Sequence, residues 1–252
     1  MCSAKDGSIW ISSTSNGLYN YDPKTKAVKH CKYNSKDSLS IISNNANKLA
    51  AGKDGTIWIG TWGEGLYSYS PVTHRFTNYP YINNDYTNII PKDTLDDDQV
   101  ISLMIDREGI IWIGTNNGAL NSYNPKTKKF RSYLIKDPDF SCITAILEDS
   151  KKRLWAGSYL SGLYLINKET GVLKRYSEAN GLLQNDIEAL AEDADGNIWC
   201  STLRGYSRFN PTTNTFVNFP ITSTIIGTDG LDHFYKDASG TLRQTYKEGM
   251  IS

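Results

Sequence analysis

Tryptophan recurs along this chain at an interval that few folds can accommodate. Five of the six tryptophans lie 43 to 54 residues apart, and Arg243 holds the equivalent place in a sixth, decayed copy. The five are Trp10, Trp58, Trp112, Trp155 and Trp199. A glycine three residues earlier accompanies most copies, and an aspartate six residues earlier accompanies the later ones. A period in the forties that contains several short strands is typical of a β-propeller with one repeat per blade.

Each period contains four short β-strand signals separated by turn residues. In the third copy the pattern predicts strands at 100–105, 110–115, 119–124 and 129–133, joined as a meander. We therefore expect an all-β chain, a β-propeller of four-stranded antiparallel blades with about six repeats in a single array over residues 1–252. The repeats are placed roughly at 1–40, 41–80, 95–135, 139–177, 183–220 and 228–252. The first copy is expected to lack an inner strand and the last copy an outer strand. The chain is therefore interpreted as a segment of a longer repeat array. Whether the blades close into a ring is left open.

The repeated residues have structural interpretations. Inner strands are almost continuously apolar, as expected for strands covered on both faces. The repeated Trp is predicted to pack between neighbouring blades, and the small residue two positions after it to let the next sheet approach. The repeated Asp should accept backbone N–H groups in its turn. One carboxylate per turn does not make a calcium site.

The composition excludes several kinds of partner. Lys plus Arg and Asp plus Glu both number 27, so no long-range field draws the chain to nucleic acid. No run of eighteen apolar residues occurs and residues 1–20 do not resemble a signal peptide, so we expect no membrane contact by this segment. The four cysteines and three histidines have no metal-binding spacing. We expect no metal and no cofactor.

The repeat resembles that of a known family. The sequence Asp-Gly-x-Ile-Trp-Ile-Gly-Thr, followed by Gly-Leu-Tyr-x-Tyr-x-Pro, spans 54–71, and Asp-Ser-Leu-Ser at 37–40 lies in a connecting loop. This pattern is similar to the two-component-regulator propeller repeat over essentially the whole chain. The resemblance implies a non-enzymatic, periplasmic sensor segment of an inner-membrane hybrid two-component receptor of Bacteroides-type bacteria. It also implies a role in signal transduction through carbohydrate sensing, with an oligosaccharide as the ligand. The full receptor could form a homodimer.

The repeat also indicates where a ligand would bind. Turns between the second and third strands should share one face with the inter-blade connections, and these segments differ between copies while the opposite face is uniform. Aromatic rings suit the C–H faces of sugars, and polar side chains suit their hydroxyls. The candidate ligand-binding residues are Trp62, Glu64, Tyr81, Tyr86, Asn116, Asn117, Tyr159 and Arg204.

Within this set Trp62 is the leading candidate, because it is the one Trp outside the repeat position. For both Tyr81 and Tyr86, packing within the loop is favoured over ligand binding. The acidic run at 96–98 is interpreted as a solvated turn and not as a metal site.

Two other functions stay open. The propeller could act as a protein-interaction or dimerisation scaffold that binds no sugar. A polysaccharide lyase or hydrolase would need carboxylates or histidine near the propeller axis, and the candidates would be Glu188, Asp232 and His233. We expect no catalytic residues, because none of the histidines lies in a nucleophile or zinc motif.

Overall fold

The computed structural model describes residues 1–37, 40–41, 43–82, 93–116, 119–135, 142–221, 233–236, 242–246 and 249–251. These residues form antiparallel sheets and one short 3-10 turn, Glu178–Asn180. The chain divides into two compact units, Met1–Leu134 and Ile135–Ser252. Each unit contains three sheets, and each sheet corresponds to one sequence repeat, so the sheets are named blades 1 to 6 in chain order.

The first unit holds three four-stranded blades, each ordered as a simple meander. Blade 1 consists of β1 (Cys2–Ser3), β2 (Ile9–Ser13), β3 (Gly17–Tyr21) and β4 (Val28–Cys31). Blade 2 consists of β5 (Ala46–Ala51), β6 (Ile57–Thr61), β7 (Leu66–Ser70) and β8 (Arg75–Asn78). Blade 3 consists of β9 (Val100–Ile105), β10 (Ile111–Thr115), β11 (Ala119–Asn124) and β12 (Lys129–Leu134).

The second unit holds two four-stranded blades and one three-stranded blade. Blade 4 consists of β13 (Ile143–Glu148), β14 (Leu154–Ser158), β15 (Gly162–Asn167) and β16 (Gly171–Tyr176). Blade 5 consists of β17 (Ala189–Glu192), β18 (Ile198–Thr202), β19 (Gly205–Asn210) and β20 (Thr215–Pro220). Blade 6 consists of β21 (His233–Lys236), β22 (Leu242–Tyr246) and β23 (Gly249–Ile251). The all-β, propeller-type fold is confirmed.

One strand prediction was wrong. Blade 1 has an inner strand, because Cys2 pairs with Trp10 and Ser3 pairs with Ile9. The tight turn that follows, closed by a hydrogen bond from Ala4 N–H to the Ser8 carbonyl at 2.8 Å, is short enough to leave room for this two-residue strand. The eight residues before β2 are therefore sufficient for an inner strand.

Three of the repeated Trp side chains pack between blades, as predicted. The Trp10 ring lies 4.9 Å from the ring of Tyr69 in blade 2, and the Trp58 ring lies 5.5 Å from that of Tyr123 in blade 3. Trp155 and Phe209 form the corresponding pair between blades 4 and 5. The residues concerned are almost fully buried. Because aromatic rings bury large apolar areas, these pairs are a main source of cohesion between blades.

The turn before the second strand is built around the repeated aspartate. In blade 3 one oxygen of Asp106 accepts the N–H groups of Glu108 and Ile110, and the other accepts Trp112 Nε1–H at 2.9 Å. Asp149 and Asp193 make the same indole bond in blades 4 and 5. The predicted backbone bonds are confirmed, and the bond to the indole is an addition that the sequence pattern did not reveal.

The hairpin between the third and fourth strands has a fixed backbone conformation in blades 1, 2, 3 and 5. One residue in each of these hairpins has φ between 56° and 59°, in the left-handed region. These residues are Lys26, His74, Lys128 and Asn214. Blade 4 places Gly171 in its corresponding hairpin, with φ of 104°. The Pro-x-Thr turn signal thus specifies a backbone path, and the side chain at this point differs between blades.

Candidate functional site

The loop after β6 and the connection between blades 2 and 3 meet at one end of the first unit. The N–H groups of Gly63 and Gly65 both donate to the carbonyl of Asp98, at 3.2 and 2.7 Å. Gln99 forms an antiparallel bridge with Trp62 and accepts the N–H of Asn116 at 3.1 Å. The second-to-third strand turns of blades 2 and 3 therefore share one face with the inter-blade connection, as predicted. We call residues 62–65, 79–82, 96–99 and 116 the loop cluster.

Trp62 is the most exposed aromatic side chain in the loop cluster. Half of its surface is accessible to solvent (50%), while Thr61 immediately before it is fully buried. Its backbone is held on both sides, because its N–H donates to the Asn45 carbonyl at 2.9 Å and it bridges to Gln99. An exposed indole on an anchored backbone loses little entropy on binding a ligand, since only its side-chain torsions remain to be fixed.

Glu64 and Tyr81 belong to the same cluster and are close to each other. The Glu64 N–H donates to Thr61 Oγ1 at 3.1 Å, and its side chain is half-buried. The Tyr81 ring packs against Gly65, where a Cβ atom would come within 2.9 Å of the ring. Burial raises the pKa of Tyr81, and the charges of Glu64 and Asp98 raise it further. The Tyr81 hydroxyl is therefore a neutral hydrogen-bonding group beside a carboxylate.

The ends of the connection between blades 2 and 3 pair with each other. Tyr81 forms a parallel bridge with Leu95, and the N–H of Ile82 donates to the Leu95 carbonyl at 2.9 Å. Leu95 is fully buried and joins the core between blades 2 and 3. Tyr81 is therefore packed within the loop on one side, as one of its two interpretations expects. Tyr86 and Asn117 lie outside the described residues.

The acidic run beneath this connection is not the solvated turn that was predicted. Asp96 and Asp97 are each only 3% exposed. Asp96 Oδ1 accepts hydrogen bonds from Thr115 Oγ1 at 2.8 Å and from Asn121 Nδ2 at 2.6 Å. Donors from blade 3 thus replace the water that a surface carboxylate would bind. The local sequence pattern does not predict this burial, because both donors are distant in the chain.

Burial changes the acidity of both carboxyl groups. It raises the pKa of Asp96, against the opposing effect of the Thr115 and Asn121 hydrogen bonds. It raises the pKa of Asp97 to about 6, with smaller contributions from Asp98 and Asp96 and opposition from the Gln99 N–H. Within the described part of the chain, no group of three or more His, Cys, Asp or Glu side chains is arranged to hold a metal ion. Asp97 is thus a buried carboxyl group with a pKa of about 6. The sequence pattern did not predict this property.

The remaining predicted residues lie in the second unit. Tyr159 is 44% exposed in the turn between β14 and β15, and its N–H donates to the Cys142 carbonyl at 3.1 Å. The next residue, Leu160, donates its N–H to Asp186 Oδ1 at 2.8 Å. Arg204 is exposed in the turn between β18 and β19. Both residues occupy second-to-third strand turns, and they are described only within their own unit.

The catalytic candidates gain no support from the structure. Glu188 donates its N–H to the Ser201 carbonyl at 2.9 Å, a sheet-type contact beside β17. Asp232 lies outside the described residues, and for His233 only its position at the start of β21 is described. Nothing in this arrangement indicates an acid and base pair.

Comparison with known proteins supports the repeat assignment. Residues 40–63, 94–117 and 181–204 match the sequence profile of the family described as "Two component regulator propeller". Each matched segment ends in a second-to-third strand turn, the element that carries Trp62, Asn116 and Arg204.

A curated relative and two solved structures are similar to the chain. It is 27% identical over 149 residues to histidine kinase P4 of Formosa agariphila, covering 56% of this chain and 11% of that protein. The extracellular domain of a putative hybrid two-component system from B. thetaiotaomicron matches with a TM-score of 0.76 and 22% identity, covering 99% of this chain and 32% of that one. A virginiamycin B lyase from Staphylococcus aureus matches with a TM-score of 0.62 and 15% identity, covering 78% of this chain and 61% of that one.

These structural likenesses establish the fold. The chain spans about a tenth of the curated relative and about a third of the two-component domain. In the described residues no helix is both long and apolar enough to cross a bilayer. The recurring tryptophan, the blade-by-blade meanders and the three segments that match the two-component-regulator propeller profile agree with one another.

Proposed function

We propose that this chain is the sensor segment of a hybrid two-component receptor, located in the periplasm, and that it binds an oligosaccharide at the loop cluster. The sensor role is supported by the matched repeats and by a solved relative described as the extracellular domain of a putative hybrid two-component system. The chain would bind its ligand without chemical turnover. Signalling would take place in parts of the receptor other than this segment.

The observation that carries the sugar-binding proposal is the exposure of Trp62 on an anchored backbone. Sugar rings present C–H groups that pack on an indole face, and their hydroxyls need donors and acceptors close by. Glu64 supplies a carboxylate acceptor between Gly63 and Gly65, which bind Asp98, and Asn116 supplies an amide beside Gln99. Tyr81 supplies a neutral hydroxyl from a segment paired with Leu95. In the second unit, Tyr159 and Arg204 offer the same kinds of group on equivalent turns.

Calorimetry with a panel of plant and host oligosaccharides tests this proposal. A sugar that binds should lose about two- to tenfold in affinity with Trp62→Ala, because a stacked aromatic contributes about 0.5–1.5 kcal/mol. Val72→Ala is the matched control, since Val72 is an exposed apolar side chain in the hairpin at the opposite end of β7. Equal loss in both variants, or no binding by any sugar, would contradict the proposal.

The same exposed indole favours a second candidate, a dimerisation surface. Exposed Trp residues are often the residues that dominate the energy of protein interfaces. Sedimentation velocity distinguishes the two, because a scaffold would form a concentration-dependent dimer that Trp62→Ala dissociates. A monomer that binds sugar would exclude the scaffold.

A further inference from the structure

The bond between the repeated aspartate and the repeated indole is missing from blade 1. In blades 3, 4 and 5 the aspartate six residues before the Trp accepts its Nε1–H at 2.8 to 2.9 Å. Blade 1 has Ala4 at that position, followed six residues later by Trp10. Trp10 Nε1 makes no hydrogen bond to the residues that the structure describes, and it is not among their fully buried unpartnered atoms. This donor is therefore still accessible.

A cavity of about 420 Å³ occupies the space beside that donor. Ala4 and Trp10 both line it, together with Ile57, Tyr69 and Pro71 from blade 2. Its volume lies in the range of small-molecule sites. The cavity belongs to the first unit and lies at the turns that precede the second strands, away from the loop cluster, so it is independent of the proposed sugar site.

Hydrogen-bond donors without partners surround the cavity. Lys5 and Lys29 line it, and neither ammonium group forms an ion pair or hydrogen bond with the described residues. His74 Nδ1 is bonded to the Tyr69 hydroxyl at 3.0 Å, and this leaves Nε2 available. The backbone of His74 is fixed by its left-handed φ of 56° and by a hydrogen bond to the Ser70 carbonyl.

Two carboxylates also border the cavity, but both are already engaged. Asp6 Oδ1 accepts the Ser8 N–H at 2.9 Å. Asp54 accepts the Thr56 N–H at 3.0 Å and the Thr56 hydroxyl at 2.9 Å. Their remaining lone pairs can accept hydrogen bonds from hydroxyl groups. The vacant groups of the cavity are thus donors and cations, with acceptors left over for hydroxyls.

We propose that this cavity, the blade 1–2 cleft, binds a small hydroxylated carboxylate whose carboxyl group takes the place of the missing aspartate. One carboxylate oxygen accepts Trp10 Nε1–H, as Asp106 does from Trp112. Lys5 and Lys29 balance the charge, and the ligand's hydroxyls donate to Asp6 and Asp54. Charge-assisted bonds of this kind are about twice as strong as neutral ones.

Blade 2 indicates why the site is confined to the cleft. It too lacks the aspartate, with Gly52 six residues before Trp58. There the Asp54 side chain fills the space, because its Oδ1 would lie 2.6 Å from a Cβ atom on Gly52. In blade 1 the residue equivalent to Asp54 is Asp6, whose Oδ1 accepts the Ser8 N–H, and the cavity that both Ala4 and Asp6 line remains open beside it.

The chain supplies its own test substitution. Ala4→Asp converts the turn Ala4-Lys5-Asp6-Gly7 into the pattern already present in blade 5, Asp193-Ala194-Asp195-Gly196. The new carboxylate should bind Trp10 Nε1 and displace the ligand without harming the fold. Ala194→Asp is the matched control, because it adds the same charge at an exposed turn of blade 5.

The readout is the indole N–H signal of Trp10 in ¹⁵N NMR spectra, assigned with Trp10→Phe. Sodium glucuronate should shift this signal in the wild type and in Ala194→Asp, whereas glucose should not. Ala4→Asp should weaken the response about tenfold or more, as expected for a lost charge-assisted hydrogen bond. An equal response to glucose, an equal or stronger response to inorganic phosphate, undiminished binding by Ala4→Asp or no shift in the wild type would each overturn the proposal.

Discussion

Asn121 donates a hydrogen bond from Nδ2 to Oδ1 of Asp96 at 2.6 Å, across 25 positions in the sequence. Its own Oδ1 accepts the Ser132 hydroxyl at 2.5 Å, so this side chain links the connection between blades 2 and 3 to β11 and β12. Both Asn121 and Asp96 are buried. The loop cluster therefore rests on a polar network inside blade 3.

Replacing Asn121 should destabilise the first unit. Asn121→Ala leaves the buried Asp96 with one donor fewer and the Ser132 hydroxyl without its acceptor, so we expect a loss of about 2–4 kcal/mol in the free energy of unfolding. Urea denaturation followed by tryptophan fluorescence measures it. The control is Asn16→Ala at an exposed turn, which should change the value by less than about 0.5 kcal/mol. Similar effects of the two substitutions would contradict the network's role.

The buried Asp97 should make stability depend on pH. Its pKa in the folded state is about 6, above the ordinary value of 3.8. A raised pKa means that the folded state binds the proton more tightly, so this contribution to stability is fully present below about pH 4 and is lost as the pH rises through 6.

Asp97→Asn should remove this dependence, because the amide oxygen can still accept the Gln99 N–H while the charge is gone. We expect the variant to be more stable than the wild type by about 1–2 kcal/mol at pH 7 and by little at pH 4. Denaturant titrations at pH 4, 5, 6 and 7 give the comparison. A difference that did not change with pH would exclude Asp97 as the titrating group.

The bond between the repeated Asp and the indole should be a strong element of each blade that has it. In blade 4, Asp149 is fully buried and accepts the N–H groups of Lys151 and Arg153 as well as Trp155 Nε1–H. Asp149→Ala should lower the free energy of unfolding by about 3 kcal/mol or more, since several buried donors lose their acceptor. Asp54→Ala, in the exposed turn of blade 2, should lose about 1 kcal/mol or less. Thermal unfolding of the two variants tests the difference.

The approach of blade 3 to blade 2 depends on Gly60. A Cβ atom at this position would collide with the side chain of Val100 at the start of β9. Gly60→Ala should therefore cost about 1–3 kcal/mol through overpacking. The double variant Gly60→Ala with Val100→Ala should recover part of that loss, which a double-mutant cycle measures. Strictly additive losses would mean that the two residues do not share this contact.

The periodic features of this fold could be predicted from the sequence because they are encoded locally. Trp58 and Gly60 lie two positions apart on one strand and therefore share a face, so their inter-blade roles follow from strand geometry. The repeat pattern likewise located the turn that carries Trp62. These inferences needed no knowledge of distant contacts.

Other features depend on contacts between residues far apart in the chain, and the sequence pattern missed them. The burial of Asp96 requires Thr115 and Asn121, which lie 19 and 25 residues away. A repeat alignment shows that Ala4 stands where later blades have an aspartate. It does not show that those aspartates bind the indole, or that a cavity lies beside Trp10.

The left-handed residues in the outer hairpins have a practical consequence. Each of Lys26, Lys128 and Asn214 holds a conformation that glycine adopts with less strain, and blade 4 already has Gly171 in its hairpin. Glycine in place of Lys26 or Lys128 is therefore a simple route to a more stable protein for crystallisation or biosensor use. Asn214 should be kept, because its Oδ1 accepts the Tyr176 hydroxyl at 2.9 Å. His74 should be left alone, because there the same backbone geometry aims an imidazole at the blade 1–2 cleft.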